Sequence, residues 1–153
     1  MDAETIVVGA GSSGAVIAAR ATERSDRQVL LVEAGPDYPP GAALPRDLVN
    51  GRHNSLFDHD WGYRYLPVPG ADPYMFPRGR VVGGSSAVNT CIALRGQPYD
   101  YDEWASRGLP DWSFEQCLPA LKRLEDDLDV KNRWHGQGGP VPIRRHPPEE
   151  LTP

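Results

Sequence analysis

Cysteine and lysine are scarce in this chain, and each shortage removes a class of function. Two cysteines, Cys91 and Cys117, are too few for a disulfide scaffold or a thiolate zinc site. Lys122 and Lys131 are the only lysines among 16 basic residues, which face 21 acidic ones for a net charge of −5. That balance speaks against a nucleic-acid partner, because phosphate contacts draw on clustered Lys and Arg. No apolar run approaches the roughly 20 residues of a membrane span. An apolar strand starts close to the N-terminus without a basic leader, so no signal peptide is expected, and no N-x-S/T sequon occurs. A reduced, cytoplasmic setting is the expectation.

Turn formers are what the chain has in excess: 16 glycines and 16 prolines among 153 residues. That is enough for many defined loops but short of low complexity. Thr5-Ile6-Val7-Val8 is apolar and β-branched and runs into glycines, the pattern of a parallel-sheet strand buried on both faces. Ala15, Val16, Ala18, Ala19 and Ala21 suit a helix over 13–24 packed closely on that sheet. Val29-Leu30-Leu31-Val32 then reads as a second buried strand, completing a strand–helix–strand unit. Residues 36–60 are punctuated by Pro and Gly, which predicts extended loop with a short helix near 46–50. Trp61, Tyr63 and Tyr65 alternate as in a half-buried strand. Ser113-Phe114-Glu115-Gln116 has the spacing of a capping box, and Phe114, Cys117, Leu118, Leu121 and Leu124 line one helical face. Pro119 inside that helix predicts a kink or a late start. The acidic stretch 125–129 reads as a solvated, fraying helix end, since carboxylates there oppose the helix dipole. The tail from Trp134 on, rich in Gly and Pro, reads as a linker or an unfinished domain.

Chemistry enters at Gly9-Ala10-Gly11-Ser12-Ser13-Gly14, a G-x-G-x-x-G between a strand and a helix. Gly9 permits the tight turn, Gly11 lets backbone approach a pyrophosphate, and Gly14 lets helix and strand pack closely. The helix N-terminus adds unpaired N–H groups and a favourable dipole. Glu33 lies 19 residues beyond Gly14 at the end of the second strand, where a carboxylate accepts hydrogen bonds from ribose hydroxyls. Strand, glycines, helix, strand and acid in register predict a bound dinucleotide and a Rossmann-like α/β fold with a mostly parallel sheet. Too few strands follow to close that sheet, so it is expected to be incomplete in this chain. A second Gly/Ser-rich loop, 78–89, holds Gly83-Gly84-Ser85-Ser86, whose amides and hydroxyls suit pyrophosphate or ribityl oxygens.

These motifs resemble the glucose–methanol–choline (GMC) oxidoreductases. The likeness covers the opening unit from Ile6 through Gly35, with its Leu30-Leu31-Val32-Glu33-Ala34-Gly35 ending. It is closest in Arg78-Gly79-Arg80-Val81-Val82-Gly83-Gly84-Ser85-Ser86-Ala87-Val88-Asn89, continuing through Thr90-Cys91-Ile92-Ala93-Leu94-Arg95-Gly96. Asp60-Trp61-Gly62-Tyr63, Tyr101-Asp102-Glu103-Trp104-Ala105 and His135-Gly136-Gln137-Gly138-Gly139-Pro140 follow the family in the same order. The resemblance implies FAD as cofactor and oxidation of an alcohol by hydride transfer to flavin N5. Besides Gly9, Gly11, Gly14 and Glu33, it assigns Ser12, Ser13, Ala34 and Trp61 to cofactor binding. It places Val82, Gly84 and Ser85 against the cofactor and runs Asn89, Thr90, Cys91 and Ile92 past the flavin ring. Some relatives bond the flavin covalently to a histidine of this loop; residues 80–95 contain none, so the FAD is expected to be non-covalent.

The catalytic histidine, with a second His or Asn, belongs to a C-terminal segment of the family, so no catalytic residue is expected in this chain. By the same resemblance, residues 1–133 are the N-terminal portion of a discontinuous FAD domain, and 134–153 a linker or the start of the substrate domain. The expected partners are the remaining C-terminal part, in cis or as a second chain, and a small alcohol. Two alternatives stay open: a GMC-like lyase or other relative that keeps FAD structurally, and a non-catalytic FAD-binding module. His53 and the Asp58-His59-Asp60 stretch are read as solvated loop rather than as metal ligands. Cys91 is read as a small buried hydrophobe rather than a reactive thiol.

Overall fold

Strand β1 (Thr5–Val8), helix α1 (Ser12–Ala21) and strand β2 (Val29–Val32) form where the apolar pattern predicts them in this computed structural model, which describes residues 3–147. The two strands pair in parallel, with Thr5 opposite Val29 and Val8 opposite Val32. Helix α1 is shorter than the expected 13–24. The Thr22 hydroxyl donates to the carbonyls of Ala18 (2.9 Å) and Ala19 (3.0 Å), and the chain turns there. Burial on both faces is not met: Val7 is buried, but Ile6, Val8, Leu30, Leu31 and Val32 are exposed. A two-stranded sheet with one helix against it covers one face at most, which agrees with a sheet incomplete in this chain.

The described residues fall into two compact units that part after Ile92. The first continues from β2 through helix α2 (Arg46–Val49), strands β3 (Arg64–Tyr65) and β4 (Tyr74–Met75), and helix α3 (Ser85–Val88). The strand expected over Trp61–Tyr65 is confined to Arg64–Tyr65, antiparallel to Tyr74–Met75. Gly62, at φ +68°, interrupts the extended chain. Pairing resumes on either side of it: Phe76 N–H donates to Tyr63 O (2.8 Å) and Trp61 N–H to Arg78 O (3.0 Å). The loop expected over 78–89 contains α3.

The second unit holds helix α4 (Pro98–Ser106), a 3-10 turn (Pro110–Trp112), helix α5 (Phe114–Leu124) and strands β5 (Glu125–Asp127) and β6 (Val141–Ile143). Gln97 and Asp100 close a capping box on α4, a helix the periodicity alone does not announce. Helix α5 starts at the expected place, with Ser113 Oγ accepting from Gln116 N–H, and Pro119 causes no late start. Tyr101, Trp104, Trp112, Phe114 and Trp134 pack ring against ring, with centroids 5.5–6.0 Å apart, and tie α4, α5 and the following loop together. One expectation is corrected here. Residues 125–127 are not a solvated helix end but a strand, and Val141–Ile143 of the tail pairs with it in parallel as β6.

Candidate functional site

The first unit contains a cleft of about 650 Å³ at the carboxyl ends of β1 and β2. Its floor is the glycine turn. Gly9 sits at φ +93° with its N–H on Val32 O (2.7 Å), and α1 begins three residues later. The first amides of α1 lack intrahelical partners and point out of the helix end beside the cleft. A Cβ on Gly14 would lie 1.9 Å from Gly9 O, so only glycine lets the helix start this close to the strand. The second glycine loop closes on the first: Gly83 N–H donates to Ala10 O (2.7 Å), and a Cβ on Gly84 (φ +55°) would lie 2.8 Å from Gly11 Cα. Two backbones without side chains thus meet in a cradle that an added Cβ would fill, as the close approach of a pyrophosphate requires.

Glu33 spans the mouth of this cradle. One carboxylate oxygen accepts from Ala10 N–H (2.7 Å) and the other from Gly35 N–H (2.9 Å). Each oxygen keeps a lone pair for a ribose hydroxyl, while the two backbone bonds fix the direction in which it is offered. The carboxylate thereby orders the turn, a part that spacing alone does not reveal.

Of the expected site residues, Gly9, Gly11, Ser12, Ser13, Gly14, Glu33, Ala34, Trp61, Gly84 and Ser85 line the cleft. Val82, Asn89, Thr90, Cys91 and Ile92 lie outside its lining. Val82 N–H donates to Pro36 O (3.0 Å), and Asn89 Oδ1 accepts from Cys91 N–H (2.9 Å). Cys91 is exposed and holds φ +55°, which corrects its reading as a buried hydrophobe. Val8, Val32, Tyr63, Arg78 and Gly79 line the cleft without having been expected. Arg78 is the one cation among the lining residues, its guanidinium 3.8 Å over the Phe76 ring. Trp61 and Tyr63 stack in parallel, centroids 5.8 Å apart. The arginine that opens the second glycine loop was the available signal for that wall.

His59 is buried, not solvated. Its Nδ1 lies 2.6 Å from Asp47 Oδ2 and its Nε2 2.9 Å from the Tyr38 hydroxyl. Hydrogen bonds from Ser55 and His59 hold the Asp47 carboxyl below its usual range. Asp60 is equally engaged, accepting from Gly62 N–H (2.6 Å) and Arg78 N–H (2.8 Å).

In the second unit, Glu125, Asp127 and His135 converge, with His135 Nδ1 3.0 Å from Glu125 and 2.9 Å from Asp127. Arg145 grips Asp127 with both Nη atoms (2.7 and 2.8 Å), and Arg95 meets Glu125 at 2.5 Å. The Arg145 fork holds the Asp127 carboxyl far below the carboxylate range. For Glu125, burial pushes upward, but the Gly136 N–H and Arg95 outweigh it and bring the carboxyl down. Two guanidinium groups already balance the two carboxylates, so the grouping is explained as an ion-pair network across β5.

The sequence matches the family described as GMC oxidoreductase over residues 3–147. It is 39% identical over 151 residues to "Glucose dehydrogenase [FAD, quinone]" of Drosophila melanogaster, covering 93% of this chain and 24% of that enzyme. It is 40% identical over 153 residues to the oxygen-dependent choline dehydrogenase of Pectobacterium atrosepticum, covering 94% and 26%. The structure superposes on pyridoxine 4-oxidase from Mesorbium loti with a TM-score of 0.82 at 32% identity, covering 99% of this chain and 30% of that one. The chain thus spans about a quarter of the length of the curated relatives it matches. Glycine cradle, the acid at its edge and these likenesses agree: the chain belongs to the GMC oxidoreductase family and carries part of its FAD-binding domain.

Proposed function

We propose that this chain binds FAD non-covalently as the nucleotide-holding part of a flavoprotein that oxidises the CH–OH group of an alcohol. The observation that carries the reading is the meeting of the two glycine loops beside Glu33 in one cleft. FAD supplies the hydride acceptor. The chain's own residues bind and orient: the α1 amides with Ser12 and Ser13 take the pyrophosphate, and Glu33 takes the adenosine ribose. Arg78 neutralises phosphate charge from the opposite wall. Val82, Gly84 and Ser85 lie along the cofactor, and Asn89, Thr90, Cys91 and Ile92 pass the flavin ring. The proton-accepting histidine and the substrate pocket come from polypeptide beyond these residues, in cis or as a second chain. Residues 1–133 are read as the N-terminal portion of the FAD domain and 134–153 as leading into the substrate domain. A reducing, cytoplasmic setting is supported by the two free cysteines.

The test uses the holoprotein that contains this chain. Acid precipitation should release all the yellow colour as FAD, and an alcohol added anaerobically to the native protein should bleach the flavin. Nicotinamide dinucleotide in the supernatant, or colour retained in the pellet, contradicts the cofactor assignment. Bound FAD that no alcohol reduces favours a lyase or a non-catalytic relative. Glu33→Ala removes a charge-assisted hydrogen bond, so FAD affinity should fall by roughly 10- to 100-fold in a titration of apoprotein. An unchanged dissociation constant removes Glu33 from the site.

A further inference from the structure

We propose that His59 and Asp47 are positioning residues for the cofactor, clamping the second wall of the cleft from both ends; this rests on the FAD reading above. That wall consists of Trp61 and Tyr63 on one segment and Arg78, Gly79, Gly84 and Ser85 on another. The two segments are held by a short ladder: Arg80 N–H donates to His59 O (2.7 Å), Trp61 N–H to Arg78 O (3.0 Å), and Asp60 pairs with Gly79. The ladder runs on from the short β3–β4 pairing, and His59 stands at its far end.

Two side chains anchor it. His59 Nδ1 is 2.6 Å from Asp47 Oδ2, and Nε2 is 2.9 Å from the Tyr38 hydroxyl, with the ring buried. In neutral imidazole, Nδ1–H donates to the carboxylate and Nε2 accepts from the phenol, so both ring nitrogens are used in one tautomer. Tyr38 lies just beyond Glu33–Gly35, on the stretch whose Pro36 carbonyl accepts from Val82 N–H. The ring therefore links the two sides of the cleft.

The same Asp47 oxygen accepts from Ser55 Oγ (2.5 Å), and Ser55 N–H donates to Val88 O (3.1 Å), the last residue of α3. Asp47 thus holds the 78–88 segment at both ends, through His59 before the glycines and through Ser55 after them. Removal of either contact lets the wall drift while leaving the Gly9–Gly14 turn and Glu33 in place.

Two double-mutant cycles on the FAD affinity of the holoprotein test this. His59→Ala should weaken FAD binding about tenfold, and His59→Asn, which keeps an N–H toward Asp47, should recover most of it. With Arg78→Gln, on the clamped wall, the losses should be less than additive. With Glu33→Ala, on the other side, they should add. Unchanged affinity in His59→Ala overturns the proposal, as does the same coupling in both cycles, which marks a merely structural role. If Glu33→Ala by itself leaves affinity intact, the FAD reading of the cleft is what fails, and the proposal falls with it. Should His59→Ala not fold, Tyr38→Phe removes a hydroxyl without opening a cavity; it should couple to Arg78→Gln, and full additivity there overturns the clamp.

Discussion

Gly14→Ala should yield a holoprotein that purifies colourless. The new Cβ would stand 1.9 Å from Gly9 O and 3.3 Å from Val7 Cγ1, and neither the turn carbonyl nor the first turn of α1 can step aside cheaply. Relief requires α1 to shift away from β1, which moves the amides proposed to take the pyrophosphate. Overpacking of this kind costs about 1–3 kcal/mol, occasionally more. We expect FAD occupancy to fall by at least tenfold, with a lower Tm, measured by flavin absorbance per protein and by a thermal scan. Gly9→Ala would be strained for a different reason: open space surrounds its Cβ position, but φ +93° does not suit an L residue. A fully yellow Gly14→Ala protein of unchanged Tm would falsify the packing account of the turn.

Asp127→Asn should flatten the acid side of the stability curve. Asp127 is fully buried and forked by Arg145, and its carboxyl is held well below the ordinary value of 3.8. A carboxylate with a depressed folded-state pKa stabilises the fold above its unfolded pKa, and that contribution is lost as pH falls toward the folded value. The amide keeps the shape but not the charge, and leaves Arg145 only its longer contact to Asp129 (3.7 Å). At pH 7 the variant should lose roughly 5 °C or more of Tm. The gap to the parent protein should close progressively below about pH 4. A gap that stays constant from pH 7 to pH 3 would mean that packing, not charge, is what Asp127 supplies.

The cofactor turn was readable because every part of it is local: β-branched strand, three glycines, small helix residues, and an acid a fixed distance on. The parallel pairing of Thr5–Val8 with Val29–Val32 follows from that unit alone. Local sequence does not carry the partners of isolated polar groups. Asp47, His59 and Tyr38 come from three separate segments, so an Asp-His-Asp string reads as solvent-facing until the chain folds over it. Glu125 and Asp127 fail for the same reason, since Arg95 and Arg145 lie on opposite sides of them in sequence and turn an acidic run into a buried strand. Likewise Trp61 and Tyr63 alternate like strand residues, but Gly62 breaks the ladder and leaves both rings stacked in the cleft. Cys91 shows the converse error, where residue type suggested burial and a left-handed, exposed backbone decided otherwise.

The bond from Gly83 N–H to Ala10 O has a kinetic meaning. The two glycine loops are far apart in sequence, and their union closes a large loop whose entropy must be met before any ligand contact rewards it. The strand–helix–strand unit, by contrast, pairs strands only 24 residues apart, against 73 between Ala10 and Gly83, and can form earlier. The complete cradle therefore assembles late, and before that moment the chain offers a nucleotide only half a grip. FAD then acts as a final latch on a nearly finished unit rather than as a seed for it, and flavin uptake during refolding should lag behind the appearance of helix.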